Sequence, residues 1–471
     1  MTSLAIAPQS TSAAAPLPAG GPDPARFDWA EAWYPVAYLD DLDRGQPTRF
    51  TLLDRAIVIW WDARGSAWRV FEDKCPHRLA PLSEGRVNEQ GELECPYHGW
   101  AFAGDGSCTH IPQQAIDGQG NQSARACALA LPTAIAQGLL FVYPGQAQNA
   151  PQVEVPIIGP IEEDPAGWVV LNTFRDLPYD ALTLLENVLD ASHIPYTHHK
   201  TVGKRENAAP MEMEVLNAGK HGFQGLWPEG PRKGKLGTQH TTFVAPALMY
   251  HDLTSEQFGR TMTVVYATPI RKGECRLFAR FPFKFSSKIP ATVIGLTPRW
   301  YSHIGNNGVL EDDQIFLHLQ ERELEKAGQS YAQACYLPTQ ADRYVLAFRH
   351  WVSDFEADPF PGQSLGPALS QAALLDRYQS HTQHCHSCRT ALERIQKLRW
   401  GLLGVSAVAW SLLPIAIAAG SLTVPAATLL GLLPLATAGA WGGLGILERR
   451  FYQGRAVPPR NRPEKPAPVK G

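Results

Sequence analysis

At 471 residues the chain is longer than one ordinary core accommodates, so two or more domains are expected. A formal net charge of −3, with Lys and Arg scattered and no basic run interleaved with aromatics, gives no electrostatic footing for a nucleic-acid partner. The eight cysteines are spaced too irregularly for a disulfide framework, which suits a reducing compartment.

The first residues, 1–26, are rich in Ala, Ser, Pro and Gly. They lack the basic start and long apolar run of a secretory signal, and the Arg of an organelle transit peptide. They read as an untargeted, disordered tail. Order is expected from Phe27. Trp33-Tyr-Pro-Val, Phe50-Thr-Leu-Leu, Ile57-Val-Ile-Trp-Trp and Trp68-Arg-Val-Phe are short β-type runs between Gly, Asp and Pro turns. They predict a small antiparallel β domain over 27–145, closed by Leu139-Leu-Phe-Val-Tyr.

Within that domain stand Cys75-Pro-His77 and Cys95-Pro-Tyr-His98, separated by seventeen residues. Each half supplies one thiolate and one imidazole from a Pro-containing loop, read as a hairpin tip. A Rieske [2Fe–2S] centre needs this set, two Cys for one iron and two His for the other. A structural Cys2His2 zinc site is the alternative, but zinc modules usually pair Cys with Cys and His with His. Gly99 lets the backbone approach the sulfides, and Trp100 keeps water away.

A Pro-rich linker is expected over 146–164, then a catalytic domain over 165–395. Trp168-Val-Val-Leu, Met211-Glu-Met-Glu-Val and Thr261-Met-Thr-Val-Val-Tyr alternate as strands do. Tyr179–Ile194 and Glu311–Lys326 read as helices. The fold class is therefore α+β, with helices on an antiparallel sheet. The apolar content between Phe243 and Trp300 reads as core ahead of a substrate pocket.

The first helical stretch contains Glu186-Asn187-Val-Leu-Asp190-Ala-Ser-His193-Ile-Pro-Tyr-Thr-His198. Five residues advance an unbroken helix by about 500°, which splays the two imidazoles apart. Pro195 disturbs the turn and allows His198 to swing beside His193. Two His and a carboxylate with open positions make the facial triad of non-haem Fe(II) oxygenases. The carboxylate is sought in Glu311-Asp312-Asp313. Asp312 is the choice, with Asp313 and Glu311 as alternatives. Acidic residues at a helix start also complement its dipole without any metal.

From Gly401 to Leu447 there is no Lys, Arg, Asp, Glu or His. This fits two bilayer spans, Gly401–Ala419 and Val424–Leu447, within a hairpin over 396–450. Arg394, Lys397 and Arg399 precede it, and Arg449, Arg450 and Arg455 follow, so both flanks and the catalytic domains belong on the cytoplasmic side. A buried or re-entrant hairpin is the alternative, favoured only by Pro414, Pro425 and Pro434. Residues 451–471 read as a disordered tail.

The motif C-x-H…C-x2-H followed by E-N-x2-D-x2-H-x4-H resembles the signature of the Rieske-type non-haem iron oxygenases. Within them the chain most resembles the chlorophyll-metabolism branch, which includes pheophorbide a oxygenase and chlorophyllide a oxygenase. Cys108-Thr-His-Ile-Pro-Gln, the late Cys385-His-Ser-Cys388 and the terminal hairpin carry that likeness. The resemblance implies a helix-grip catalytic domain, a cluster on Cys75, His77, Cys95 and His98, and a mononuclear Fe(II) on His193, His198 and Asp312. It places Asp190 between the centres, bonded to His193 and to a cluster His of a neighbouring subunit in a homotrimer. Asn187 would lie near an open iron position, or be a helix-surface amide.

With no G-x-G-x-x-G after a strand, the chain lacks a nicotinamide module, so electrons must come from a ferredoxin or separate reductase. The implied reaction is oxygenation of a lipophilic substrate by O2, such as a chlorophyll-derived tetrapyrrole, at a thylakoid or plasma membrane in a cyanobacterial relative. The competing function is a membrane-tethered Rieske electron carrier or redox-sensing scaffold. Cys385 and Cys388 have three readings. They are a redox switch addressed by thioredoxin, half a zinc site with His381, His384 or His386, or an inert pair before the membrane.

Overall fold

Eleven short strands build the amino-terminal part of the chain. They are β1 (Tyr34–Tyr38), β2 (Thr48–Leu52), β3 (Arg55–Asp62), β4 (Ala67–Glu72), β5 (Arg86–Val87), β6 (Leu93–Glu94), β7 (Ala101–Phe102), β8 (Cys108–His110), β9 (Ala130–Leu131), β10 (Thr133–Ala136) and β11 (Leu139–Val142). All pair antiparallel, in three sheets ordered β1-β11-β10, β2-β3-β4-β9 and β5-β6-β7-β8. The computed structural model describes residues 26–255, 259–420 and 423–463. The tail expected over 1–26 thus lies, but for Arg26, outside the described residues.

Two bodies make up the chain. Residues up to Leu296 with Gln314–Ala368 form the first, and Thr297–Asp313 with the residues from Leu369 onward form the second. The first contains the β domain and a seven-stranded antiparallel sheet. That sheet comprises β12 (Val169–Leu177), β13 (Glu214–Gly219), β14 (Gly222–Trp227), β15 (Gln239–Val244), β16 (Leu248–Ser255), β17 (Gly259–Arg271) and β18 (Glu274–Lys284), ordered β12-β18-β17-β16-β15-β14-β13. From β13 to β18 it is a meander. The first strand in sequence closes the far edge. A short helix, α1 (Gly159–Glu163), lies in the linker before it.

Helices cover this sheet, as an α+β fold requires. The helix α2 (Ala181–Leu189) packs against β16, β17 and β18. Its Ala181, Leu182, Leu184, Leu185 and Leu189 are all buried. Farther along, α7 (Arg343–Asp354) packs on β13, β14 and α2. Between them in sequence come α3 (Ile194–Thr197), α4 (Lys288–Leu296), α5 (Arg299–Ala327) and α6 (Tyr331–Ala334).

The β domain is fastened to the catalytic sheet by specific bonds. Leu53 N–H and Asp54 N–H donate to the Pro269 and Ile270 carbonyls at 3.1 and 2.8 Å. Tyr38 Oη donates to the Ala279 carbonyl at 3.0 Å, and Thr268 Oγ1 to the Pro35 carbonyl at 2.7 Å. Arg276 makes a fork with Asp176, its directly opposite neighbour across β12 and β18, at 2.5 and 2.8 Å. The same guanidinium lies over the Phe50 ring, 4.5 Å from its centroid. A buried Arg is tolerated because a carboxylate and an aromatic face replace its water.

The second body holds the first part of α5, then α8 (Gln371–Leu374), α9 (His386–Ala418) and α10 (Val424–Tyr452). Apolar windows in α9 and α10 have mean hydropathies of 1.9 and 1.5, with only 11% and 17% of their residues buried. A helix pair that exposed does not form the interior of a soluble core. Pro414 and Pro434 lie inside these helices without ending them.

Three expectations change. The acidic run Glu311-Asp312-Asp313 lies mid-helix, because α5 begins at Arg299. The helix dipole acts only on the first turn, so it does not account for three buried carboxyls here. The first cluster loop joins β4 of one sheet to β5 of another and is not a hairpin tip; the second, between β6 and β7, is one. The stretch after α10 is not a loose tail as far as Pro463. Gly454 N–H donates to the Leu375 carbonyl at 2.8 Å, Arg455 reaches the Gly308 carbonyl at 2.7 Å, and Pro459 is buried.

Candidate active site

The two cluster loops are copies of one another in backbone form. Leu79 N–H returns to the Cys75 carbonyl at 2.8 Å, and Gly99 N–H to the Cys95 carbonyl at 3.1 Å. Cys75 N–H donates to the Ala80 carbonyl and Cys95 N–H to the Trp100 carbonyl, each at 2.8 Å. The residue four after each Cys is left-handed, with φ of 61° at Leu79 and 72° at Gly99. At Gly99 a Cβ would also meet Pro112 Cγ at 3.0 Å, which explains glycine there.

These loops bring Cys75, Cys95, His77 and His98 together. The two imidazoles are 4.5 Å apart between centroids, and Trp100 stacks on His77 at 4.7 Å. Both thiols are buried on an apolar bed of Val58, Trp60, Phe71, Leu82, Leu93 and Phe102. Burial, with the neighbouring Cys95 sulfur, pushes the Cys75 thiol well above its ordinary range. His77 Nδ1 is buried without a hydrogen-bond partner. Two buried, adjacent sulfurs and an orphaned ring nitrogen fit a metal cluster as their missing partner.

The second centre starts where α2 ends. Asp190 leaves helical geometry, with φ −82° and ψ 96°, and its Oδ1 accepts from Ser192 N–H at 2.8 Å to cap the 3₁₀ turn Ala191–His193. Pro195 then sits at the start of α3, where its missing N–H costs nothing. The chain therefore breaks at Asp190, before the first His, and Pro195 starts a new turn instead of bending an old one. His193 Nε2 and His198 Nε2 come to 3.2 Å. His199 turns aside, its Nδ1 accepting from Arg205 N–H at 3.2 Å.

Ligand atoms of His193, His198 and Asp313 all lie within 4.8 Å of one another. Asp313 was an alternative in sequence; Asp312, the choice, falls outside this group. Each helical step turns by about 100°, so three consecutive carboxylates face three directions. Glu311 is taken by Arg377, at 2.6 and 2.7 Å, and Asp312 lies 3.9 Å from Arg455 with its carbonyl bonded by Arg460. Asp313 completes two imidazoles and one carboxylate, a donor set that fits a mononuclear iron.

Asp190 acts differently from the expectation. His193 Nδ1 bonds the Asp190 carbonyl oxygen, while the carboxylate stands 3.9 Å off, held by Ser192. A proton on Nδ1 leaves the lone pair on Nε2, the form in which an imidazole binds metal. Asn187 is half-buried on the last turn of α2, its carbonyl accepting from Asp190 N–H at 3.2 Å. Glu186, on the same turn, is buried and holds Arg349 at 2.5 Å and Tyr331 Oη at 2.8 Å. Cys385 and Cys388 belong to neither group. Neither is in a disulfide, and both are buried in the second body.

Sequence reasoning did not find His251 of β16. Its Nε2 donates to the Val188 carbonyl at 3.0 Å, and its Nδ1 accepts from Thr241 Oγ1 and Gln239 Nε2 at 2.8 and 3.1 Å. Burial pushes its pKa down to about 4. The available signal was a polar residue at an inward strand position, directly opposite Thr241. A cavity of about 370 Å³ lined by Thr238, His240, Asp252, Thr254 and Arg260 touches none of these ligands.

A family model described as Rieske [2Fe-2S] domain matches residues 32–124, and one described as Pheophorbide a oxygenase matches residues 243–331. Pheophorbide a oxygenase of Oryza sativa subsp. japonica is 39% identical over 412 residues, spanning 81% of this chain and 76% of that one. The Arabidopsis thaliana protein of the same name is 39% identical over 418 residues, at 82% and 76%. Flavonoid 8-hydroxylase 2 of Ocimum basilicum is 33% identical over 415 residues, at 81% and 77%. The crystal structure of dicamba monooxygenase bound to dicamba shares the fold, with a TM-score of 0.57 at 22% identity over 69% of this chain and 97% of that one. With both donor sets on one chain, it belongs to the pheophorbide a oxygenase family of Rieske non-haem iron oxygenases.

Proposed function

We propose that this oxygenase is membrane-anchored and acts on a chlorophyll-derived tetrapyrrole such as pheophorbide a, with ferredoxin as its electron donor. Its carrying observation is the triad of His193, His198 and Asp313 in a chain 39% identical to two pheophorbide a oxygenases. When bound, the cluster and the mononuclear iron supply one-electron transfer and activation of O2.

The chain's own residues set the conditions for that chemistry. The Asp190 carbonyl keeps the His193 proton on Nδ1, and His251 holds the carbonyl of Val188 just ahead of it. Leu79 and Tyr97, one in each cluster loop, are 69% and 60% exposed. That exposed pair is where a neighbouring copy would seat its Asp190 in a homotrimer. The apolar, outward-facing α9 and α10 support a bilayer anchor, which would present a lipophilic substrate to the catalytic domain.

A second reading is also supported, because flavonoid 8-hydroxylase 2 is related at 33% identity. The ring system attacked is then a flavonoid. The test offers pheophorbide a, chlorophyllide a and a flavone to the detergent-solubilised protein with reduced ferredoxin and ¹⁸O2. Label in the pheophorbide product, lost in His193→Ala, supports the proposal. Label in the flavone alone rejects it. An intact Rieske EPR signal with no label in any product favours the electron-carrier alternative.

A further inference from the structure

The second body holds a second metal-type constellation, remote in sequence from the oxygenase motif. His303 on α5, His381, Cys385 and Cys388 are all buried, and one ligand atom of each lies within 4.8 Å of all the others. His303 Nδ1 is 3.0 Å from His381 Nε2 and 3.5 Å from each sulfur; His381 Nε2 is 3.3 Å from Cys388 Sγ. We propose that these four side chains form a closed, structural zinc site.

Distance is the first argument. A tetrahedral zinc ion, with bonds of about 2.0–2.3 Å, sets its ligand atoms roughly 3.3–3.8 Å apart along the edges. Four of the six edges are 3.0, 3.3, 3.5 and 3.5 Å, close to that frame, and the other two are within 4.8 Å.

Chemistry is the second. Two thiols and two imidazoles are the donors zinc prefers, and four protein ligands leave no open position for a substrate. All four residues are at most 2% exposed, so no water completes the shell from outside. Two imidazole nitrogens turned toward one another in a buried place gain more from a shared cation than from the single proton that fits between them.

Local backbone is the third. His381 lies in a π-helical turn, Tyr378–Thr382, and Cys385 caps α9, with its N–H donating to the His381 carbonyl at 3.0 Å. Such turns re-aim a side chain at a functional site. The turn brings His381 onto the Cys385-x-x-Cys388 pair, and α5 delivers His303 from 78 positions earlier in the chain. The ion would fasten α5 to the start of α9, at the foot of the helical hairpin. Both thiols would be bound as thiolates, releasing their protons on metal uptake. A redox switch needs Cys385 and Cys388 reachable from solution; here both are buried, and each sulfur is also 3.5 Å from His303 Nδ1.

The test is metal analysis of the full-length protein, purified in detergent without chelators or a metal-affinity tag. The expected result is about one zinc per chain alongside the iron. Cys385→Ser and Cys388→Ser should lose the zinc and keep the Rieske EPR signal. Should those variants not fold, the wild-type protein produced with cobalt in place of zinc decides. Intense visible bands and a sulfur-to-cobalt charge-transfer band are expected from a tetrahedral thiolate site. Zinc well below one per chain with no cobalt spectrum overturns the proposal, and so does undiminished zinc in the serine variants. A Cys385–Cys388 disulfide found by mass spectrometry in zinc-free, iron-replete protein would overturn it in favour of a redox pair. None of these readouts depends on turnover, so they stand apart from the choice of substrate.

Discussion

His251 Nε2 donates to the Val188 carbonyl at 3.0 Å, tying strand β16 to the turn that ends in Asp190 and His193. Gln239 Nε2 is a donor only, and it points at Nδ1, so the ring has to be neutral. Burial holds its pKa at about 4, against about 6.5 in the unfolded chain. Above pH 6.5 the ring is neutral in both states and its contribution is fully present. As pH falls, the unfolded chain takes up a proton that the folded protein refuses. Stability on the order of 3 kcal/mol is therefore lost between pH 6.5 and 4. His251→Gln should therefore gain stability relative to wild type as pH falls across that range, read from melting curves of both proteins. A constant difference between the two would show that His251 does not titrate as described.

Asp313 and Asp312 separate cleanly by substitution. Asp313→Asn should empty the mononuclear site, cut turnover more than about 100-fold, and leave the Rieske EPR signal intact. Asp312→Asn should keep its iron, because Arg455 and Arg460 are what that residue faces. Iron content per cluster, measured on both variants, reads the result. Iron retained in Asp313→Asn and lost in Asp312→Asn would reverse the assignment.

The donor residues were legible in sequence because their spacing is local. Cys75 to His77 and Cys95 to His98 each lie on one loop, and His193 and His198 on two successive short turns, so the pattern carries the geometry. Asp313 was not separable from Asp312, because choosing among three adjacent carboxylates needs the phase of α5. That phase depends on a helix starting at Arg299, where no capping pattern marked it. His251 and His303 were missed for a simpler reason. Each acts through a partner far along the chain, Val188 and His381, and an inward polar residue does not by itself reveal that partner. The docked stretch 453–463 was misread because Pro and Arg suggest a loose tail, while its anchors Gly308, Asp312 and Leu375 lie elsewhere.

Glu186, inside the motif before the iron-binding His pair, serves packing. Its carboxylate is buried, with Arg349 on one oxygen and Tyr331 Oη on the other, and Arg349 lies 4.2 Å over the Tyr331 ring. Removing one partner leaves a buried charge unmatched. Glu186→Ala should therefore destabilise the protein by about 3–5 kcal/mol. Replacing Glu186 and Arg349 together by Leu and Met should cost less than the single change. Thermal melts of the single and double variants test this. A double variant worse than Glu186→Ala would mean that the pair contributes more than mutual neutralisation.

Glu321 tilts the pH profile the opposite way from His251. It is buried where α5 meets the start of α2, and accepts from Asp180 N–H at 2.9 Å and Thr183 Oγ1 at 3.0 Å. Burial raises its pKa to about 7, against 4.5 for an ordinary Glu. Its contribution is fully present below pH 4.5, falls as pH rises, and is gone above about 7, a loss on the order of 3 kcal/mol. Since His251 gains over nearly the same window, the two slopes largely cancel in the wild-type protein. Glu321→Gln keeps a carbonyl for Asp180 and Thr183 while staying neutral. Its stability relative to wild type should rise between pH 4.5 and 7, whatever constant offset the altered Arg322 contact adds. His251→Gln should shift the other way over pH 4 to 6.5, and the double variant should return to a nearly flat profile. Parallel pH profiles for wild type and both single variants would show that neither group is held away from its ordinary range.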